Sequence, residues 1–320
     1  MRFNPKARLD RGRVSDSGRR GGGMSGGMSG GGMRIPIPGG TKAGGGLAGL
    51  VIVILFIVLS QCLGGGDPGA VPFPQDDLDT SRVDSGDGNR YANCQTGEDA
   101  NQDEDCARVA VENSLYDFWN DNLENQAGVG FRPEGQLRTF TGAVQTGCGQ
   151  ASAQVGPFYC PADEGIYLDT TFFEDVLQGQ LGGPAGDFVE YYVLAHEYGH
   201  HIQNLTGDMG RVRTQQGPNS DAVRLELQAD CYAGMWARAA TSTDDASGVP
   251  LIIDISEQDM AEAVAAAKAV GDDRIQQQTT GRVDPEGWTH GSAEQRQRWF
   301  LTGYDEGSMS ACDTFSASSL

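Results

Sequence analysis

The sequence predicts an α+β domain, and the order of its segments carries this prediction. Strand-like segments are confined to residues 140–167, whereas the long segments with helical apolar spacing follow them. Strands that precede helices, instead of alternating with them, favour α+β over a doubly wound parallel sheet. A separate apolar run stands ahead of this domain. We therefore expect a small N-terminal sheet and a set of helices, behind a single transmembrane helix.

The first 42 residues predict a disordered basic tail. Residues 1–42 are rich in glycine and carry nine lysines or arginines against two aspartates, whereas the 320-residue chain has a net charge of −21. The remaining residues therefore carry −28. A stretch this poor in large apolar residues cannot bury enough surface to offset chain entropy. The acidic remainder argues against nucleic acid as a partner.

Residues 43–63 predict the transmembrane helix. This run of 21 residues, which includes LAGLVIVILFIVLSQCL, contains no charged residue. As a helix it would be about 30 Å long. A buried soluble helix and a secretory signal peptide are the alternatives, but the preceding region is far longer than a signal n-region. The positive-inside rule places residues 1–42 in the cytoplasm and the acidic domain outside. We expect a single-pass protein of the cell membrane.

Six of the seven cysteines follow the apolar run, and an even number on the exported side predicts three disulfides. Sequence alone leaves fifteen pairings open. Zinc–thiolate ligation is the competing interpretation, but no C-x-x-C spacing supports it. Nearest neighbours, with the remaining two cysteines joined, give the favoured pairs: Cys94–Cys106, Cys148–Cys160 and Cys231–Cys312.

The exported part begins with a Gly-, Pro- and Asp-rich linker, 64–90, and continues as one domain, 91–320. Apolar periodicity predicts its first helix over 105–125. Next comes a hairpin, whose strands 158–160 and 165–168 flank a Pro-Ala-Asp-Glu turn. We expect Asp169 to cap a short helix after the hairpin.

N-cap residues and terminating glycines predict four more helices. The first begins at Asp187, which we expect to be an N-cap with Glu190 three positions on, and it ends at Gly207. Serine caps introduce the others: Ser220 before 221–240, Ser256 before 257–270, and Ser292 before a short helix that ends near Gly303.

The helix that begins near Asp187 contains an H-E-x-x-H motif. His196 and His200 are four residues apart, so their imidazoles lie on one face of the helix and can reach one metal ion. Glu197 lies beside them as a candidate general base. His201 is about 100° round the helix from His200 and cannot share that ion. We expect it behind the ligands or on the surface. A polar patch on an ordinary helix is the alternative interpretation of the motif.

A catalytic zinc site needs a third protein ligand, and the next helix offers two candidates. Glu226 and Asp230 lie four residues apart on one face of the predicted helix 221–240. One carboxylate can bind the metal while the other holds a ligand imidazole through its remaining N–H. A solvated acidic edge is the alternative. The apolar neighbours favour a buried site, because two unpaired buried carboxylates would be costly.

The segments HEYGHHIQ and ELQADCYAG resemble the bacterial family of putative neutral zinc metallopeptidases, which are membrane-anchored zincins. GPFYCPAD, HGSAEQR and CDTF are also similar to that family, so the resemblance spans roughly 91–315. It implies a zincin-like fold, one Zn²⁺ ion, and a protein or peptide substrate. It also implies roles for five residues: His196, His200 and Glu226 as metal ligands, Glu197 as base, and Asp230 as the carboxylate that orients a histidine.

These residues predict an extracytoplasmic zinc-dependent peptidase, in which a zinc-activated water attacks the peptide carbonyl while Glu197 takes its proton. The oxyanion needs a donor. His290 is our candidate, with three tyrosines as rivals: Tyr191, Tyr192 and Tyr198. The alternative function is a non-catalytic zinc-bearing scaffold or binding domain of the cell envelope. Glu197 favours the enzyme, since a structural site has no use for a base there.

Overall fold

A computed structural model describes residues 1–19, 90–152 and 155–320. Its main sheet has the strand order β2–β3–β7–β6, in which β3 is parallel to both β2 and β7, and β6 is antiparallel to β7. Two smaller antiparallel pairs accompany it, β1 with β8 and β4 with β5. The strands are β1 (Arg2–Phe3), β2 (Val14–Arg19), β3 (Gln136–Thr141), β4 (Ala143–Thr146), β5 (Gly149–Ser152), β6 (Phe158–Cys160), β7 (Gly165–Asp169) and β8 (Ile252–Asp254).

Helices form the larger part of the described structure, and α3 and α7 both pack against α4. A π-helix, Phe172–Gln178, follows the sheet at the position predicted for a short helix. The α-helices are α1 (Gly97–Ala100), α2 (Glu104–Ala127), α3 (Asp187–Thr206), α4 (Asp221–Ala239), α5 (Glu257–Ala269), α6 (Asp272–Thr280) and α7 (Ala293–Glu306). The mixture of small sheets and packed helices agrees with the predicted α+β class.

Side-chain caps begin three of these helices as predicted. The Ser220 hydroxyl accepts from the amide of Val223, and Ser256 and Ser292 each form a capping box. The predicted cap of α3 is wrong. Gly186 occupies the N-cap position without a side-chain hydrogen bond, and Glu190 is instead an ion-pair partner of Arg108.

Glycines allow the three central helices to approach closely. A Cβ on Gly199 of α3 would lie 3.1 Å from the Ala229 Cα of α4. A Cβ on Gly303 would lie 1.8 Å from the carbonyl oxygen of Cys231, so only glycine fits there. Gly303 therefore does not end its helix as predicted. The helix continues to Glu306, and Gly307 ends it with a φ of 63°.

Three disulfides connect the six cysteines in the predicted pairs. Two of them close short loops with sequence separations of 12 residues. The third, Cys231–Cys312, spans 81 residues and connects α4 to the segment after α7. The predicted pairing is confirmed: Cys94–Cys106, Cys148–Cys160 and Cys231–Cys312.

The prediction that residues 1–42 are disordered is wrong for residues 1–19. This N-terminal segment supplies β1 and β2, and it buries Phe3, Ala7 and Val14 in the core. The prediction rested on the basic, glycine-rich composition of the whole stretch, which does not reveal that these few apolar residues are buried. The rest of the predicted tail, the predicted transmembrane helix 43–63 and all of the linker 64–90 except Arg90 lie outside the described residues. Within the ranges that the structure describes, no helix is both long and apolar enough to cross a membrane.

Candidate metal centre

Helices α3 and α4 bring together the three predicted metal ligands. His196 and His200 lie on the face of α3 that meets α4, and both are buried. The Glu226 Oε2 atom of α4 lies 3.2 Å from the Nε2 of His196 and 3.6 Å from the Nε2 of His200. One donor atom from each residue thus falls within 4.8 Å of the other two.

This donor set fits zinc in both chemistry and spacing. Zinc accepts imidazole nitrogen and carboxylate oxygen at about 2.0–2.2 Å, so two ligands of a tetrahedral ion lie about 3.3 Å apart. The distances of 3.2 and 3.6 Å from the Glu226 oxygen to the two imidazole nitrogens are close to that value. Both histidines also have their Nδ1 atoms engaged elsewhere, which leaves Nε2 for the metal.

Asp230 orients His196, in the place predicted for a supporting carboxylate. Its Oδ1 atom lies 2.8 Å from the His196 Nδ1 and accepts from the Tyr192 hydroxyl at 2.5 Å. Burial alone would lower the pKa of His196, but the Asp230 charge and hydrogen bonds to Asp230 and Glu226 raise it to about 9. Asp230 faces Nδ1 and Glu226 faces Nε2. The two carboxylates therefore favour the protonated form of His196.

Arg296 completes this buried cluster, and sequence analysis missed it. From α7, its Nε and Nη2 atoms donate to the two Asp230 oxygens, each at 2.8 Å, and Nη2 also donates to the Tyr192 hydroxyl at 3.2 Å. Burial raises the pKa of Asp230, but Arg296 and His196 outweigh it and lower that pKa to about 2. Arg296 lies in the HGSAEQR segment, yet its partner is 66 residues away, and only the folded helices reveal the pairing.

Gln203 holds His200 through its Nδ1 atom, as Asp230 holds His196, and sequence analysis missed it. Its Oε1 atom lies 2.8 Å from the His200 Nδ1, and its Nε2 donates to the Leu225 carbonyl and to the Gln228 side chain. Gln203 is fully buried. Its position three residues after His200 on the same helix was the available signal, because residues at i and i+3 share a face.

Glu197 is buried beside the ligand histidines, with a relative exposure of 7%. Its carboxylate has no hydrogen-bonding partner among the side chains that the structure describes, unlike the neighbouring Glu226 and Asp230. A carboxylate held next to two imidazoles and not occupied by a structural hydrogen bond is available to accept a proton from water.

His290 lies in the loop before α7, and Asp272 holds that loop in place. One Asp272 oxygen accepts the backbone N–H groups of Thr289, His290 and Gly291 at 2.7, 2.6 and 3.0 Å. Burial raises the pKa of Glu226, but the charges of His200 and His290 lower it well below its usual value. His290 thus contributes to the electrostatics of the predicted metal site.

The three tyrosines that rival His290 have other surroundings. The Tyr192 hydroxyl donates to Asp230. Tyr191 packs edge-to-face on Phe3 and Phe188. The Tyr198 ring is buried, and its pKa is raised first by burial and then by the charge of Glu134. The charge of Glu226 also raises the pKa of Tyr192, whereas His290 acts in the opposite sense and its positive charge lowers the pKa of Glu226.

His201 does not share the metal site, in agreement with its predicted angle on the helix. Its Nδ1 lies 3.1 Å from the Tyr159 hydroxyl, and its Nε2 lies 2.9 Å from the Arg132 carbonyl oxygen. The suggestion of a surface position is wrong, because the residue is fully buried. It connects α3 to the edge strand β6.

Comparison with known proteins finds several uncharacterized bacterial relatives. The uncharacterized proteins Rv2575 of Mycobacterium tuberculosis and Mb2605 of Mycobacterium bovis are each 52% identical over 258 residues, which cover 80% of this chain and 85% of the relative. The uncharacterized protein YpfJ of Escherichia coli K12 is 42% identical over 208 residues, or 63% of this chain and 68% of the relative. No solved structure gives a significant match.

The family comparison covers almost all of the chain. The profile described as "Putative neutral zinc metallopeptidase" matches residues 5–315. This range includes the ligand set, Glu197, Arg296 and all three disulfides. On this match, the chain belongs to the putative neutral zinc metallopeptidase family.

Proposed function

We propose that this protein is a zinc-dependent peptidase that hydrolyses peptide bonds in a protein or peptide substrate. The observation that carries the proposal is the cluster of His196, His200 and Glu226 donor atoms, with Glu197 adjacent and not engaged by another described side chain. Family membership supports the same reaction class.

Each residue of the site has a separate role in the proposed hydrolysis. Zinc, when bound by His196, His200 and Glu226, supplies a Lewis acid that acidifies water and polarises the peptide carbonyl. Glu197 accepts the proton of the attacking water and returns it to the departing amine. His290 donates a hydrogen bond to the oxyanion that develops on the carbonyl.

A non-catalytic zinc scaffold remains the second function, and Glu197 distinguishes it from the enzyme. A structural zinc site is closed by four protein ligands. Here three donors converge, and the adjacent buried carboxylate is not one of them. This arrangement favours catalysis over a scaffold.

We also propose that the domain works outside the cytoplasm and that residues 43–63 hold it to the cell membrane. Three disulfides support an oxidising compartment, since such bonds are rare in the cytosol. Residues 43–63 carry no charge and are apolar enough to be buried in a bilayer.

Replacement of Glu197 by glutamine tests the proposed activity. We expect Glu197→Gln to keep its zinc, because the three ligands are unchanged, and to lose hydrolysis of a peptide library followed by mass spectrometry. General-base catalysis typically contributes about 10²–10⁴-fold, which sets the expected loss. Glu124→Gln, at an exposed site on α2, is the matched control and should retain full activity. Undiminished hydrolysis by Glu197→Gln would contradict the mechanism, and a zinc-loaded wild type without hydrolysis would favour the scaffold.

A further inference from the structure

The N-terminal segment, residues 1–19, is bonded to the peptidase domain through its backbone at several points. Strand β1 pairs with β8, and β2 extends the main sheet alongside β3. Between the strands, the Leu9 amide donates to the Gln95 carbonyl, and the Gly97 amide donates to the Ala7 carbonyl. These contacts reach three separate parts of the domain, so the segment is integrated in its fold and not attached at one point.

Apolar side chains of the segment reach the core of the domain. Phe3 has a relative exposure of 3% and packs edge-to-face on Tyr191 of α3. Ala7 and Val14 are buried in the same hydrophobic cluster. Because burial of a phenylalanine side chain is strongly favourable, these contacts anchor the segment to the domain.

Arg13 supplies a positive charge that the interior of the domain needs. Its Nε donates to Glu112 at 2.7 Å, and its guanidinium lies 4.0 Å from the centroid of the Tyr116 ring. Glu112 and Glu134 have relative exposures of only 1% and 3%. Neither oxygen of Glu134 has a hydrogen-bond partner among the described residues. Two buried carboxylates without a nearby cation would be strongly unfavourable.

A single membrane crossing cannot separate parts of the chain that share strands and an ion pair. The expected topology placed residues 1–42 in the cytoplasm and the acidic domain outside, with one crossing at 43–63. The paired strands and the Arg13–Glu112 contact require both parts to lie on one side. We propose that residues 1–19 are a structural part of the peptidase domain and lie in the same compartment as its metal centre.

Thiol labelling in whole cells tests this proposal independently of peptidase activity. Lys6→Cys and Glu306→Cys are exposed positions, one in the segment and one on the domain. Each is placed singly in full-length protein with Cys62→Ser, because the other six cysteines are in disulfides. The cells are treated with a membrane-impermeant maleimide before and after permeabilisation. We expect both positions to react under the same condition.

The outcomes separate this proposal from the proposed location of the enzyme. Labelling of both positions in intact cells supports both proposals. Labelling of both only after permeabilisation supports a shared compartment and contradicts the extracytoplasmic location. Labelling of one position in intact cells, with protection of the other, overturns the inference.

Thermal unfolding of the purified full chain tests the structural part of the proposal. Arg13→Gln removes the cation that faces the buried carboxyl groups of Glu112 and Glu134. At pH 9, above the pKa of about 8 of Glu112, we expect the Tm to fall by on the order of 10 °C. Glu112→Gln in the same protein should recover part of that loss. Arg8→Gln changes an exposed arginine of the same segment and is the matched control. An unchanged Tm for Arg13→Gln would show that this contact of the segment does not stabilise the fold, and would contradict the proposal.

Discussion

Glu226 and Asp230 lie one turn apart on α4, but their neighbours differ. Glu226 faces the Nε2 atoms of both ligand histidines, whereas Asp230 faces Nδ1 of His196 and the guanidinium of Arg296. We expect Glu226→Gln nearly to abolish zinc binding. Asp230→Asn should weaken it about 10–100-fold, as is usual when a residue that orients a ligand is lost. Competition with a chromophoric chelator measures both zinc affinities. A larger loss of affinity in Asp230→Asn than in Glu226→Gln would exchange the two roles.

Gln203 gives His200 the support that Asp230 gives His196, through a neutral acceptor. Gln203→Leu keeps much of the side-chain volume and removes the hydrogen bond to Nδ1, so zinc affinity should fall about 10–100-fold. Gln258→Leu, at an exposed site on α5, should leave the affinity unchanged in the same titration. Equal affinities for Gln203→Leu and wild type would exclude an orienting role.

The candidate site could be predicted where its signal is local. His196, Glu197 and His200 are predicted by their spacing on one helix. The spacing of Glu226 and Asp230 on the next helix gave two candidates for the third ligand, and the family resemblance selected Glu226. Periodicity places Arg296 on the apolar face of α7 with Trp299, Phe300 and Gly303, and so sets it apart from the exposed Arg298. Its partner could not be predicted, because the contact with Asp230 joins residues 66 positions apart.

At the scale of elements, close helix packing makes a sharp prediction about Gly303. A Cβ at this position would lie 1.8 Å from the Cys231 carbonyl oxygen, so α4 and α7 must separate to admit it. Overpacking typically costs about 1–3 kcal/mol and occasionally more, which corresponds to a Tm lower by roughly 2–12 °C for a domain of this size. Gly130→Ala adds a Cβ with no atom within 4 Å and should leave the Tm unchanged. Calorimetry that found equal Tm values would contradict the packing.

Elements with local start signals were predictable, and elements held by distant partners were not. Serine caps identified three helices to within one residue at their starts. Strand β2 has no apolar alternation of its own, and its pairing with β3 joins positions more than 120 residues apart. Helix α6 was missed because its sequence is almost wholly polar. Helix formation there depends on tertiary contacts, which propensity does not contain.

For the whole molecule, the carboxylates that face Arg13 make stability depend on pH. Burial and the Glu134 charge raise the pKa of Glu112 from its ordinary value of 4.5 to about 8, while Arg13 and Asn113 oppose them. Tyr198 also faces this cluster. The folded state therefore holds a proton that the unfolded chain has released, and the contribution of Glu112 to stability falls as pH rises from about 4.5 to 8.

Glu112→Gln removes that titration and should flatten the decline of Tm between pH 5 and 8. The exposed control Glu124→Gln should keep the wild-type slope. Thermal melts at four pH values measure the comparison, and a wild-type slope in Glu112→Gln would assign the pH dependence to other groups.

The disulfides should contribute unequally to global stability. In the chain-entropy description, the constraint on the unfolded state grows with loop length. The Cys231–Cys312 loop spans 81 residues and the Cys148–Cys160 loop spans 12, which gives about 4.5 and 3 kcal/mol respectively. Paired cysteine-to-alanine variants should therefore lower the Tm more for the long loop. A smaller loss for Cys231→Ala/Cys312→Ala than for the short loop would contradict this ordering.

The position of Arg296 in α7 has a consequence for the proposed peptidase while its chain is being synthesised. A nascent chain that has emerged as far as Asp272 contains every predicted zinc ligand and Glu197, but it lacks His290 and the guanidinium that holds Asp230. In that chain no Arg296 guanidinium neutralises Asp230 or fixes it toward His196. Under the proposed function, we expect unfinished chains to hydrolyse peptides poorly until α7 docks on α4.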